Sequence, residues 1–262
     1  MSSTPRPAST VVLLRDSSAG PEVFMVKRSA KSAFMPHVYV FPGGRVDPDD
    51  AAVPAQGGAD NRDRMGISDA DAYMIAAIRE TLEEAGVLLA RGPLDPGDRD
   101  AVRLGERPFA ALARARDWIL DLDRLVYWAW WITPEVEPRR YDTRFFVASV
   151  PRGVDAIHDD HEVVDSAWWT LDEVLARFDA GALNLAPPTW ITLHELSTFT
   201  RVEDALAAGR QRRPPAIMPR AKLNEDHSVS ILLPGDPEHP SDTPVEGPTR
   251  LTLRAGRWFV HR

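Results

Sequence analysis

Four charged residues within six positions, Arg79-Glu80-Thr81-Leu82-Glu83-Glu84, followed by Ala85-Gly86-Val87, are the part of this chain best suited to chemistry. At about 100° per residue, Glu80, Glu83 and Glu84 fall within roughly a 100° arc of a helix, so their carboxylates converge. Carboxylates at i, i+3 and i+4 spacing repel one another unless a cation neutralises them. An all-oxygen donor set of this kind favours hard divalent ions, Mg²⁺ or Mn²⁺, over zinc. Arg79 stands four residues before Glu83 and can pair with it, and Gly86 can end the helix in a left-handed conformation. Taken alone, the string also suits a solvated acidic helix face with an ordinary salt bridge.

Upstream, Phe41-Pro42-Gly43-Gly44 ends a short apolar run with two consecutive glycines. Such a turn tolerates positive φ and lets bare backbone N–H groups approach a phosphate.

These residues need elements to hold them. Residues 9–14 and 22–28 read as strands joined by the turn-forming stretch 17–21, and 38–41 as a third strand. Residues 47–69 are rich in Asp, Gly, Pro and Ala and read as an exposed loop. Ser68 or Asp69 can then cap a helix with Ile75, Ile78 and Leu82 on one face. One or two amphipathic helices are expected over 98–122, strands at 125–133, 144–150 and 166–170, and a helix over 171–180 opened by an acidic turn. Beyond Pro187-Pro188, residues 189–209 have a helical pattern, and 215–262 contain two strand-like stretches, 229–233 and 251–260. Trp128, Trp130 and Trp131 read as packing aromatics inside a strand. The mixture is α/β or α+β.

Composition narrows the function. Lys plus Arg is 31 against 39 for Asp plus Glu, a formal charge of -8, which disfavours long nucleic acids and RNA cap removal. There is no cysteine, so disulfides, thiolate metal sites and a Cys nucleophile are excluded. The first ten residues lack a signal-peptide pattern, and no apolar run is long enough to span a bilayer. A cytoplasmic protein with no membrane partner is expected. At 262 residues, one catalytic domain with an extension fits.

The glycine turn and the acidic string together resemble the Nudix box: Gly44 matches its first position and Arg79 to Val87 its last nine, with Thr81 where an aliphatic residue is usual. Arg79 follows Gly44 by 35 positions, 21 more than in the usual box, and 47–69 carries the excess. The intermediate acidic position is left open: Asp50 fits counting forward from Gly44, Asp71 counting back from Arg79. An insertion here is similar to the subgroup of coenzyme A and acyl-coenzyme A diphosphatases. Ala77 to Leu89, Thr133-Pro134, Pro138 to Phe146 and Leu232 to Asp236 resemble that subgroup as well.

The resemblance implies a Nudix α/β/α sandwich with a mixed sheet, formed by a domain over 1–186 and a C-terminal helix and β extension over 187–262. It implies an enzyme that hydrolyses the diphosphate of a nucleotide-derived small molecule. Arg79, Glu80, Glu83 and Glu84 would be catalytic, the three glutamates holding Mg²⁺ or Mn²⁺. The substrate expected first is coenzyme A or an acyl derivative; ADP-ribose, NADH or a silent nucleotide sensor are the alternatives. Glu162, in a His-Asp-rich stretch before Trp168-Trp169, is a candidate further ligand or the base, a role it shares with Glu83. Gly43, Gly44, Arg28, Arg139 and Arg140 are candidates for substrate binding, with Arg144 beside them, whereas His37 reads as structural. A homodimer is common in the resembling family.

Overall fold

The computed structural model describes residues 3–30, 36–153, 163–241, 244–245, 247–254 and 257–261. In chain order, β1 (Arg6–Ser17) and β2 (Gly20–Arg28) form the first hairpin; β3 (Tyr39–Val40) and β4 (Gly43–Arg45) follow. Next come β5 (Ala55–Gln56), α1 (Ala59–Met65), α2 (Ala70–Ala85), β6 (Ala90–Arg91), α3 (Asp98–Arg103), α4 (Phe109–Ala115) and β7 (Ile119–Asp121). Then β8 (Val126–Ile132), β9 (Tyr141–Ser149), β10 (Val163–Thr170), α5 (Leu171–Asp179), α6 (Pro187–Leu196) and α7 (Val202–Gln211) complete the main body. The chain ends with β11 (Ala216–Ile217), β12 (Arg220–Leu223), β13 (Val229–Leu232), β14 (Arg250–Arg254) and β15 (Arg257–His261).

The main sheet runs β10-β2-β1-β9-β8-β11, with β3 added to β2 and β4 to β1. It is mixed, since β1 pairs parallel with β9 while β1–β2, β1–β4 and β8–β9 are antiparallel. Alternation along β1 explains the layers: Val11 and Leu13 join the core beneath α2, Val12 and Leu14 the core beneath α5, α6 and α7. Helices therefore cover both faces, giving an α/β/α sandwich. Ile75, Ile78 and Leu82 are buried on the α2 side, each contributing about 1.5–3 kcal/mol of apolar burial. Trp128 and Trp131 lie in the second core; Trp130 is half-buried on the α2 side.

One in-register row crosses four strands on the α2 face. Gly44 pairs with Ser9, Ser9 with Arg144 and Arg144 with Trp130. Ser9 Oγ donates to Tyr73 O at 2.7 Å, which ties the start of α2 to the middle of this row. At 1.5 Å per residue, the seven residues from Tyr73 to Glu80 then carry the helix about 10 Å, to Gly44 on β4, the strand paired with β1.

Residues 47–69, expected as an exposed loop, are instead folded into the body. They contain a 3-10 turn at Asp50–Ala52, then β5 and α1, and they bury Asp50, Val53, Asn61, Arg64 and Met65. β5 and β6 flank β7 in a second, three-stranded sheet. Asn61 Nδ2 donates to Leu125 O at 2.9 Å while its Oδ1 accepts from Tyr127 N at 3.0 Å. Arg64 Nη1 donates to Tyr127 O and Gly209 O, both at 2.8 Å. Polar residues suggest a loop when counted, yet here they satisfy the backbone where β8 carries a bulge.

Two further expectations change. The helical pattern 189–209 is broken at Ser197-Thr198, whose hydroxyls donate to His194 O and Glu195 O at 2.9 and 2.8 Å and compete with the ladder. The stretch 251–260 is a hairpin of β14 and β15 rather than one strand, and with β12 and β13 it forms a four-stranded sheet. Leu233 and Leu251 from this region enter the second core. Among the described residues no helix is long and apolar enough to cross a membrane.

Candidate active site

The acidic string lies on α2 as its spacing requires. Thr81 is fully buried and donates its hydroxyl to Ala77 O at 2.7 Å, so a polar residue fills an apolar position with its hydrogen bond made. The helix stops at Gly86, at φ 69°, where Gly86 N donates to Leu82 O and Val87 N to Thr81 O.

Two glutamates reach β4. Glu84 Oε2 accepts from Gly43 N at 2.9 Å, and the Glu80 carboxylate fills the space where a side chain on Gly44 would stand. A Cβ there would lie 2.7 Å from Glu80 Oε2 and closer still to Oε1. One on Gly43 would meet Thr10 Oγ1 at 2.7 Å and, closer still, Ser9 O. The glycines thus serve close packing rather than positive φ, and the Gly43 N–H expected for a phosphate is occupied by Glu84.

Arg79 binds the constellation together. Its Nε and Nη2 donate to the two oxygens of Asp50 at 2.9 and 3.1 Å, and Nη2 also to Arg45 O at 2.7 Å. Its Nη1 is shared by Glu80 Oε1 at 2.8 Å and Glu83 Oε1 at 3.2 Å. Of the two acidic residues left open, Asp50 meets Arg79, while Asp71 pairs with Arg62 on the surface.

Electrostatics follow from one cation among four carboxylates, Asp50, Glu80 and Glu83 close by and Asp47 at 3.7 Å. Burial alone would lower the Arg79 pKa, but Asp50, Glu80 and Glu83 outweigh it and hold the guanidinium firmly charged. Burial raises Glu80 to about 7; Arg79 opposes this and Glu83 adds to it. Burial raises Glu83 as well, against the pull of Arg79. The cluster is short of positive charge.

That deficit, and a donor set made only of carboxylate oxygens, fit a hard divalent ion. Glu80, Glu83 and Glu84 are the residues that would hold it. As they stand, Glu80 and Glu83 turn toward Arg79 and Glu84 toward Gly43, and among the described residues no three acidic or histidine groups converge at ligand distance.

The other candidates divide. Arg28 ends β2 half-buried and, by alternation, shares the face of Phe24 and Val26 on which α2 packs. Arg139 is exposed. Arg140 is buried and donates to Thr133 O at 3.0 Å and Ser3 O at 2.9 Å, so its guanidinium fastens backbone. Arg144 is buried, stacked 3.6 Å from the Trp130 ring centre, with Nη1 donating to the Tyr127 hydroxyl. His37, at φ 62°, closes the β2–β3 turn by donating its N–H to Arg28 O. Glu162, His158 and His161 lie outside the described residues.

The model of the NUDT19 Nudix domain family matches residues 53–196, more than half of the chain. The chain belongs to the Nudix family. The human acyl-coenzyme A diphosphatase NUDT19 is 29% identical, the match covering 93% of this chain and 80% of that protein. Its Gallus gallus counterpart is 28% identical over 88% and 76%. A crystal structure of a Nudix hydrolase from Alicyclobacillus acidocaldarius superposes with a TM-score of 0.70 at 28% identity, covering 78% of this chain and 96% of that one. As a Nudix hydrolase, the chain is an enzyme that cleaves diphosphate linkages, with the dependence on divalent metal general to the family. Sequence reasoning left one residue of this site without a role, Asp50, although its six-residue distance from Gly44 was the signal.

Proposed function

We propose that this Nudix hydrolase cleaves the diphosphate of coenzyme A or an acyl derivative, using Mg²⁺ or Mn²⁺, to give 4'-phosphopantetheine (or its acyl form) and adenosine 3',5'-bisphosphate. The reading of the site rests on one observation, the enclosed Glu80-Glu83-Arg79-Asp50 constellation against Gly44. The choice of substrate is supported by likeness to proteins named acyl-coenzyme A diphosphatase over most of the chain.

Glu80, Glu83 and Glu84 would hold a divalent ion, which would neutralise charge on the diphosphate and acidify the attacking water. Arg79 keeps Glu80 and Glu83 oriented, and Asp50 keeps Arg79 in place. Water attacks one phosphorus as a new P–O bond forms; the bridging P–O bond breaks and its electron pair leaves with the other phosphate. Glu83 or Glu162 takes the water's proton. Arg28 and the exposed Arg139 are the candidates for pairing with the substrate's phosphates.

The test is product analysis by mass, with Mg²⁺ and with Mn²⁺, on coenzyme A, acyl-coenzyme A, ADP-ribose and NADH. Selective release of adenosine 3',5'-bisphosphate supports the proposal; AMP from ADP-ribose or NADH alone overturns the substrate. Glu83→Gln abolishes turnover, whereas unchanged hydrolysis would remove the assignment of the site.

A further inference from the structure

The last turn of α2 carries Glu83 and Glu84, and its carbonyls need partners of their own. Gly86 N and Val87 N take Leu82 O and Thr81 O, which leaves the carbonyls of Glu83, Glu84 and Ala85. One side chain from outside the helix meets the first two: Arg99 Nε donates to Glu83 O and Nη2 to Glu84 O, each at 3.0 Å. The guanidinium packs over Gly86, where a Cβ would stand 3.5 Å from its Nη1.

Arg99 is itself held. It belongs to α3, whose first residue, Asp98, is buried and accepts from Asp95 N at 2.9 Å and from Arg116 Nε and Nη2 at 3.1 and 2.8 Å. Contacts therefore run without a gap from Arg116 through Asp98 and Arg99 to the backbone beneath two of the three box glutamates.

We propose that Arg99 is a positioning residue for the diphosphatase reaction, its two-pronged grip on the Glu83 and Glu84 carbonyls fixing where those carboxylates stand for the divalent ion. Its charge also offsets the negative end of the α2 dipole beside them. Water could satisfy the same carbonyls, but would not fix two consecutive residues in one geometry. The inference rests on the reading of Glu80, Glu83 and Glu84 as metal ligands.

The experiment is a titration of the full chain with Mn²⁺ alone, followed by electron paramagnetic resonance well below the melting temperature. Arg99→Ala is expected to weaken Mn²⁺ binding about tenfold, in the range seen for groups that orient ligands. Arg99→Lys, able to reach one carbonyl but without the fork, restores part of the loss. Arg103→Ala, which removes only the pair with Asp100 in the same helix, leaves affinity unchanged. Should Arg99→Ala fail to fold, Arg99→Lys and Asp98→Asn carry the test. Wild-type Mn²⁺ affinity in folded Arg99 variants, with Glu83→Gln weakened, overturns the Arg99 inference alone. Wild-type affinity in Glu83→Gln as well overturns the metal-ligand reading on which it rests.

Discussion

Asp50 and Arg79 face each other as a two-pronged pair, 29 positions apart and both buried, with bonds of 2.9 and 3.1 Å. The pair closes the Nudix box across its insertion. Arg79 is thereby fixed at one end, and only its Nη1 is left for Glu80 and Glu83.

Removing Asp50 leaves a buried guanidinium without its strongest partner. Asp50→Ala is expected to lower stability by about 1–3 kcal/mol, the cost of leaving the buried Arg79 Nε without its acceptor while Glu80 and Glu83 still balance its charge. Chemical denaturation measures it, and a loss below about 1 kcal/mol would mean that the two-pronged pair does not hold the box.

The two glycines of β4 separate stability from activity. Gly44→Ala drives a methyl into the Glu80 carboxylate, the movable end of a side chain; turnover should fall by tenfold or more while the melting temperature changes little. Gly43→Ala presses on Ser9 O and the Thr10 backbone, so stability should fall first. Equal behaviour of the two variants in melting and turnover would count against this packing.

Glu80 gives the metal-free enzyme a pH dependence of definite sign. Its pKa is raised from 4.5 to about 7 on folding, so the folded state keeps a proton that the unfolded state loses between those values. Stability of the metal-free protein is therefore greatest below about pH 4.5 for this group and declines as pH rises towards 7. Divalent metal needs the carboxylate ionised, so binding at pH 6 should release a proton and tighten with rising pH. Calorimetry in two buffers of different ionisation enthalpy measures the release; Glu80→Gln should remove this contribution, and no proton release in the wild type would contradict the assignment.

The insertion should behave as part of the fold. Asn61→Ala removes the acceptor of Tyr127 N and the amide donor to Leu125 O, at about 1–3 kcal/mol for each buried group left unmade. A urea midpoint equal to wild type would show that α1 is not anchored to β8.

Arg139 and Arg140 adjoin in sequence but not in role. Arg140→Ala should cost stability, because Thr133 O and Ser3 O lose their donor. Arg139→Ala should leave the melting temperature alone and raise KM if that guanidinium meets a substrate phosphate. A changed KM with Arg140→Ala and none with Arg139→Ala would reverse the assignment.

Much of this protein follows from short-range pattern. The helical spacing of Glu80, Glu83 and Glu84, the stop at Gly86, the β1–β2 hairpin and the apolar stripe of Ile75, Ile78 and Leu82 are local, because periodicity and turn chemistry act over a few residues. What only the tertiary structure decided lies in contacts between distant segments: that Asp50 and not Asp71 meets Arg79, that Glu84 takes the N–H of Gly43, that Asn61 and Arg64 serve the backbone of β8, and that Arg99 caps the Nudix helix. No spacing rule encodes these. A buried polar group takes whichever partner the packed layers bring within about 3 Å, and that choice is made by the assembled fold rather than by the neighbours in sequence.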